Sequence, residues 1–262
     1  MSDLNGKSAI VTGGATLIAE KAAEALIKRG ATVMLADIDT EGGEAAAQRL
    51  GDKAHFLTTD VSDDSQIQRC VDATVESAGR LDILVNVAVT YLDEGLDSTR
   101  DQWSDALGCN VVGAAIFAQK AVPHMREQGG GAIVNFASIS AKIAQPGRML
   151  YSVSKAAMHG MTRNMALQLA PDKIRVNSVS PGWTWSNIMS QLSGDDRAKA
   201  DGVAAPLHLV GRLIAPEEVA STVAFLCSEE ASGITGTDVA VDGGYSAIGP
   251  ERMENLVEKL MS

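Results

Sequence analysis

Cysteine, histidine and aromatic side chains are scarce in this chain. Its 262 residues include three cysteines, four histidines, three tryptophans, three tyrosines and four phenylalanines. Cys70, Cys109 and Cys227 are odd in number and scattered, which excludes a disulfide framework and leaves no metal-ligand spacing. They read as reduced thiols of a cytoplasmic protein. His55, His124, His159 and His208 form no spaced cluster with cysteines or carboxylates, so no metal site is expected. Positive charge is short as well: 22 Lys and Arg against 33 Asp and Glu give a net charge of −11. That balance argues against nucleic acid or an anionic membrane as a partner. No apolar run approaches the roughly 18 residues of a membrane span. The opening Met-Ser-Asp-Leu-Asn-Gly-Lys lacks the apolar segment of a signal peptide. No Pro/Ser-rich linker or charge block divides residues 1–262, which read as a single domain.

What is present is alternation. Ser8–Thr12 is a short β-rich apolar run, followed by Gly13 and Gly14. Glu20–Arg29 is helical by composition and stops at Gly30, and Ala31–Ala36 is a second strand ending at Asp37. Strand, glycine turn, helix, strand and acid make the order of a mononucleotide-binding unit. Further strands are expected at His55–Thr59, Leu81–Val85, 132–137, Ile174–Val179 and Thr237–Val241. Helices are expected at Asp63–Ala78, Asp105–Arg126, around Tyr151, and at Pro216–Ser228. The pattern predicts an α/β fold, a Rossmann-like doubly wound seven-stranded parallel sheet with helices on both faces. Asp37, Asp60, Asn86, Ser138 and Pro181 all fall at strand C-terminal ends, where ligands of such sheets bind.

The stretch from Ser138 to Lys155 organises the chain. Tyr151 and Lys155 are four residues apart, on one face of a helix. The run 132–137 reads as a buried strand that delivers Ser138 to its edge. A hydroxyl facing a Tyr–Lys pair is a proton-transfer site. A nearby ammonium favours phenolate, so the expected Tyr151 pKa lies below its usual value, suited to general acid/base work.

Taken together, Thr12-Gly13, Asp37, Asp60-Val61, Asn86-x-Ala88, Asn110, Ser138, Tyr151-x-x-x-Lys155, Pro181-Gly182 and Val241-Asp242-Gly243-Gly244 resemble the short-chain dehydrogenase/reductase family, from Lys7 to about Tyr245. The resemblance implies a catalytic set of Asn110, Ser138, Tyr151 and Lys155. Tyr151 would be the general acid/base, Lys155 would lower its pKa and hold the nicotinamide ribose, Ser138 would bond the substrate oxygen, and Asn110 would order a relay water. It implies cofactor contacts from Thr12, Gly13, Leu17, Ile18, Asp37, Asp60, Val61, Asn86, Ala88, Tyr151, Lys155, Pro181, Gly182, Thr184 and Ser186. It also implies a homotetramer, with the helices 105–126 and 150–170 as interface. Two departures stand out. Leu17-Ile18-Ala19 replaces the family's usual Gly-x-Gly, and Asn86-Val87-Ala88-Val89 replaces Asn-Asn-Ala-Gly. Leu tolerates positive φ poorly, so a shifted turn is expected.

Asp37, with Ile38 and Asp39 beside it and no basic neighbour, favours NAD over NADP by repelling a 2′-phosphate. A lid over the substrate is expected at about 183–212, with Gly194 and Gly202 as hinges. Val89, Ser140, Gln145, Trp183, Trp185 and Met189 are the candidate substrate contacts, joined by Tyr91, Ile139 and Met149. This set carries little positive charge, which points to a neutral secondary alcohol or ketone. In the tail 246–262, Met253, Leu256, Val257 and Leu260 are spaced for an amphipathic helix. The implied activity is an NAD-dependent alcohol dehydrogenase or carbonyl reductase. A non-catalytic NAD-binding sensor or partner subunit, and a dehydratase or epimerase using the same tyrosine, remain as alternatives.

Overall fold

The computed structural model describes residues 3–249 and 261. The apolar runs form strands β1 (Ser8–Thr12), β2 (Thr32–Asp37), β3 (Ala54–Thr58), β4 (Ile83–Asn86), β5 (Gly131–Phe136), β6 (Ile174–Pro181) and β7 (Asp238–Val241). They pair in parallel as one seven-stranded sheet in the order β3-β2-β1-β4-β5-β6-β7. The helices are α1 (Leu17–Lys28), α2 (Thr40–Leu50), α3 (Asp64–Ala78), α4 (Arg100–Leu107), α5 (Gly113–Glu127), α6 (Met149–Leu169), α7 (Asn187–Ser193), α8 (Arg197–Ala204) and α9 (Pro216–Cys227).

Strand side chains alternate between two cores, as the period of two requires. Ala9 and Val11 of β1 join Val33, Leu35, Val85 and Val134 under α1, α2 and α9. Ile10, between them, joins Leu84, Ile133 and Val176 on the other face under α3, α5 and α6. Both faces are covered, which is why the strands read as continuous apolar runs.

Three elements differ from the sequence expectation. Helix α2 was not anticipated, because Gly42 and Gly43 depress its propensity. Asp39 starts it by accepting from the Gly42 N–H at 3.0 Å. Gly43 is required there, since a Cβ would sit 2.0 Å from the Phe56 ring. Helix α1 begins three residues earlier than expected, so Leu17 is an ordinary helical residue. Among the described residues only Lys173 and Asp195 are non-glycines at positive φ, and the turn strain expected at Leu17 is absent. The helix expected at 105–126 starts at Arg100, behind a Thr99 capping box, and is interrupted by a π turn at Gly108–Val112. Taken end to end, Arg100–Glu127 is long and apolar enough by composition to cross a bilayer, unlike the expectation that no run approaches that length. Its Phe117, Ala121 and Met125 are buried against the sheet. The amphipathic pattern at Met253, Leu256, Val257 and Leu260 lies outside the described residues.

Candidate active site

The strand order reverses direction between β1 and β4, and that is where chain connections leave a crevice at the strand C-terminal ends. A cleft of about 1420 Å³ opens there. Gly13 at the end of β1 takes φ 71°, and a Cβ on it would lie 3.0 Å from the Ala88 nitrogen. Only glycine lets the β1 turn pass the loop after β4 so closely.

One end of the cleft holds Ser138, Tyr151 and Lys155. Ser138 follows β5, is 7% exposed, and its Oγ accepts from the Ser140 N–H at 3.1 Å. Tyr151 lies in the first turn of α6, where its N–H donates to Asp93 Oδ2 at 2.9 Å. Lys155, one turn on, is buried and donates from Nζ to the Phe136 carbonyl at 2.8 Å. That bond ties α6 to the end of β5 and explains why the pair stands beside Ser138. Its Nζ lies 5.6 Å from the Tyr151 ring centroid. The expected depression of the tyrosine pKa is not what the structure shows. Burial pushes the Tyr151 phenol up, Tyr91 adds to that, and Ser138 and Arg148 only partly oppose it. The i, i+4 spacing brings Lys155 to the ring but its ammonium is turned to a carbonyl. Burial lowers Lys155 to about 8.

Asn110 sits in the π turn and is 2% exposed. Its Oδ1 accepts from Thr90 N–H at 2.7 Å, and its Nδ2 donates to the Thr90 carbonyl and to Ser154 Oγ, both at 3.1 Å. The side chain is thus fully used as a clamp between the loop after β4 and α6, and it does not line the cleft. It borders instead a small cavity of about 10 Å³ shared with Asn86, Cys109 and Lys155. Asn86 Oδ1, buried there without a partner among the described residues, is the atom a water in that cavity would satisfy.

The other end of the cleft is lined by Gly13, Ile18, Asp37, Asp60, Val61 and Ala88. Asp37 closes β2 and accepts from the Ala15 and Asp39 N–H groups, each at 3.0 Å. Asp60 Oδ1 accepts from Ser62 N–H and Oγ, both at 2.8 Å. Pro181, Gly182, Thr184 and Ser186 line the opposite wall. Three expected cofactor contacts fall elsewhere. Thr12 Oγ1 accepts from Val87 and Ala88 N–H at 3.0 and 3.1 Å, tying β1 to β4 instead of facing the cleft. Asn86 donates to Asn135 Oδ1 at 2.9 Å across β4 and β5. Leu17 does not line the cleft, and its N–H donates to Asn187 Oδ1 of α7 at 2.7 Å. No helical partner exists for that first-turn N–H, so a side chain from the 183–212 segment supplies one.

On the substrate side Val89, Ser140, Gln145, Trp183 and Met189 line the cleft, as do Tyr91 and Ile139. Trp185 does not. It packs with the buried Ala200, Ala204 and Leu213, and the Arg197 guanidinium lies 5.8 Å over its ring. Met149 is also not among the residues that line the cleft. Gly194 ends α7 at φ 71°, whereas Gly202 is inside α8 and is no hinge. The sequence reading missed Arg148. Its guanidinium lies 5.3 Å from the Tyr151 ring centroid and 5.9 Å from that of Tyr91, and the two rings stack at 5.3 Å with 20° between planes. The signal was the spacing of three residues between Arg148 and Tyr151. With Lys199, it gives this end positive charge that the neutral-pocket expectation lacked.

Similarity to known proteins agrees with this geometry. A family model described as enoyl-(acyl carrier protein) reductase matches residues 13–246. The chain is 37% identical over 251 residues to a cyclopentanol dehydrogenase of a Comamonas species, covering 94% of this chain and 100% of that one. It is 36% identical over 245 residues to a cis-4-hydroxycyclohexanecarboxylate dehydrogenase of Sinomonas cyclohexanicum, covering 92% and 96%. A solved 7α-hydroxysteroid dehydrogenase, complexed with NADH and 7-oxo glycochenodeoxycholic acid, matches with a TM-score of 0.85 at 29% identity, covering 92% and 94%.

Proposed function

Because this chain belongs to the short-chain dehydrogenase/reductase family, an oxidoreductase family that works with a nicotinamide cofactor, we propose that it is NAD-dependent and interconverts a secondary alcohol and its ketone through Tyr151. The observation that carries the reading is that Ser138, Tyr151 and Lys155 meet at one end of a cleft whose other end carries Asp37. The cleft residues suit a dinucleotide. Asp37 would meet the ribose hydroxyls, Asp60 and Val61 the adenine, the α1 N-terminus the pyrophosphate, and Pro181, Gly182, Thr184 and Ser186 the nicotinamide. Preference for NAD is supported by the lining from β1 to Ser62, which contains Asp37 and Asp60 and no basic residue. When bound, the cofactor supplies the hydride chemistry.

The chain's own residues move the proton. Ser138 donates to the substrate oxygen and fixes it beside the Tyr151 phenol. In reduction the phenol gives its proton to the ketone oxygen, and in oxidation the phenolate takes the carbinol proton. Lys155 holds a positive charge beside the ring, and Asn110 holds the loop and α6 in register. Val89, Ile139, Trp183 and Met189 surround the reacting carbon with apolar, neutral surface, which excludes water and favours a moderately hydrophobic substrate body. The named relatives act on ring alcohols, which such walls would accept. The segment 183–212 acts as the lid in this reading, on a single catalytic domain. A cytoplasmic homotetramer belongs to the same reading, supported by the outward apolar residues Val153 and Leu167 of α6.

The test is NADH formation from cyclopentanol and related secondary alcohols, wild type against Tyr151→Phe. Loss of roughly three orders of magnitude in the variant is expected. Equal turnover by the two proteins would remove Tyr151 from the chemistry. NAD binding without turnover of any alcohol would favour the sensor, and product formation without net NADH would favour the dehydratase or epimerase.

A further inference from the structure

We propose that Arg148 is a specificity-determining residue that recognises a carboxylate on the substrate, so that the preferred substrates are hydroxy acids or their keto acids. This rests on the oxidoreductase reading above and narrows it. The reacting carbon sits in neutral apolar walls, and the anionic group lies outboard of it, beside the Tyr91–Tyr151 stack.

Arg148 is half-buried at the N-terminal edge of α6 and lines the catalytic end of the cleft. The other arginine side chains that line up with carboxylates in this fold, among them Arg29, Arg49, Arg80, Arg126 and Arg212, are engaged with them. Arg148 takes part in none of the ion pairs or side-chain hydrogen bonds found among the described residues. Its close partners among the described residues are two aromatic rings, beside whose stack its guanidinium lies. With no carboxylate or carbonyl engaging it among those residues, its planar fork of N–H donors is available to receive a carboxylate in two parallel bonds. Lys155 and Lys199 also line the cleft, and Asp37 and Asp60 are at its far end, while the Asp93 carboxylate, which accepts from the Tyr151 N–H, is a negative charge on this side. Asp105 of α4 is the carboxylate of the lining on this side. Gln145 adds a donor, because its carbonyl accepts from Ser140 Oγ and its amide NH₂ has no partner among the described residues. The guanidinium lies 5.3 Å from the centroid of the ring that carries the reacting phenol. A carboxylate bound there would lie at the same end of the cleft as a carbinol at the phenol, which suits a compact ring or short-chain hydroxy acid.

The experiment compares 3-hydroxycyclohexanecarboxylate with 3-hydroxycyclohexanecarboxamide as substrates of the NAD-loaded enzyme, reading kcat/KM from NADH formation. Wild type, Arg148→Met and Arg148→Lys are assayed, with cyclopentanol as an uncharged reference. Wild type should favour the acid, and Arg148→Met should lower the acid-to-amide ratio by about 30-fold or more, mostly through KM, as expected for a lost bidentate charge pair. Arg148→Lys should restore part of the ratio. A ratio unchanged in Arg148→Met would overturn the proposal and leave Arg148 as a packing partner of the two tyrosines. Wild-type turnover of cyclopentanol without preference for the acid would also overturn it, while the dehydrogenase reading stood. Failure to oxidise any of the three alcohols would instead remove the dehydrogenase reading, and the proposal with it.

Discussion

Replacing Lys155 with methionine should stabilise the cofactor-free protein while abolishing turnover. Lys155 is 3% exposed, so its ammonium receives almost no help from solvent. Burial lowers its pKa from 10.5 to about 8. At about 1.4 kcal/mol per pKa unit, holding the charge in the native state costs about 3 kcal/mol at neutral pH. Methionine has a similar stem and no charge, but it forfeits the bond to the Phe136 carbonyl, worth about 1.5 kcal/mol for a charged donor. A net gain of about 1–2 kcal/mol remains, or roughly 3–6 °C in Tm for a chain of this length. The pH dependence has a definite sign. Below pH 8 both folded and unfolded chains carry the proton, and the full cost is present. Between 8 and 10.5 the unfolded chain holds a proton that the folded one does not, so wild-type stability from this group rises with pH and the variant's advantage shrinks. Above that window the cost is gone. Urea unfolding of both proteins at fixed concentration, at pH 7 and pH 10, measures it. A variant less stable at pH 7, or a gain identical at both pH values, would refute the argument.

Three further outcomes follow from the site and the core. Asp37→Ala combined with Ile38→Arg should shift the NAD/NADP ratio of kcat/KM toward NADP by at least about tenfold, because Ile38 is 70% exposed at the cleft and a guanidinium there meets a 2′-phosphate. An unchanged ratio would sink the electrostatic account. Since burial raises the Tyr151 phenol, ketone reduction should hold across neutral pH while alcohol oxidation climbs on going alkaline, a contrast that pH–rate profiles in the two directions would reveal or deny. Gly43→Ala should destabilise the fold by about 1–2 kcal/mol despite the better helix propensity of alanine, because the new methyl meets the Phe56 ring, and a chemical denaturation curve reads it directly.

Much of the fold was legible because buried parallel strands are short apolar runs, and every one of the seven was recognisable as such. Ser138, Tyr151 and Lys155 were legible because a strand end and a helix turn leave few ways to arrange them. Burial and orientation were not legible. Spacing puts Lys155 beside the Tyr151 ring, but the direction of its ammonium depends on the Phe136 carbonyl, 19 residues away in the chain. Asn110, Asn86 and Thr12 are expected as catalytic or cofactor contacts because the family resemblance implies them. In the structure their side chains satisfy neighbouring backbone and amide groups instead. Helix α2 was hidden by its glycines: Gly43 answers to a ring on β3 and Gly42 to the Asp39 side chain, neighbours that glycine propensity does not reveal.

The π turn at Gly108–Val112 lets the chain carry one residue more than a plain α-helix would, without turning its two flanks against each other. An α-helical residue advances the side-chain direction by about 100° and a π-helical one by about 80°, so the turn as a whole falls short by about one residue's rotation. Deleting one residue between 108 and 112 would restore a plain α-helix and keep Ser104 and Asp105 toward the cleft and Phe117, Ala121 and Met125 in the core. What would be lost is the local widening that seats Asn110 between Thr90 and Ser154. Variants of this enzyme that drop a residue here should therefore still fold, and lose the clamp between the loop after β4 and α6.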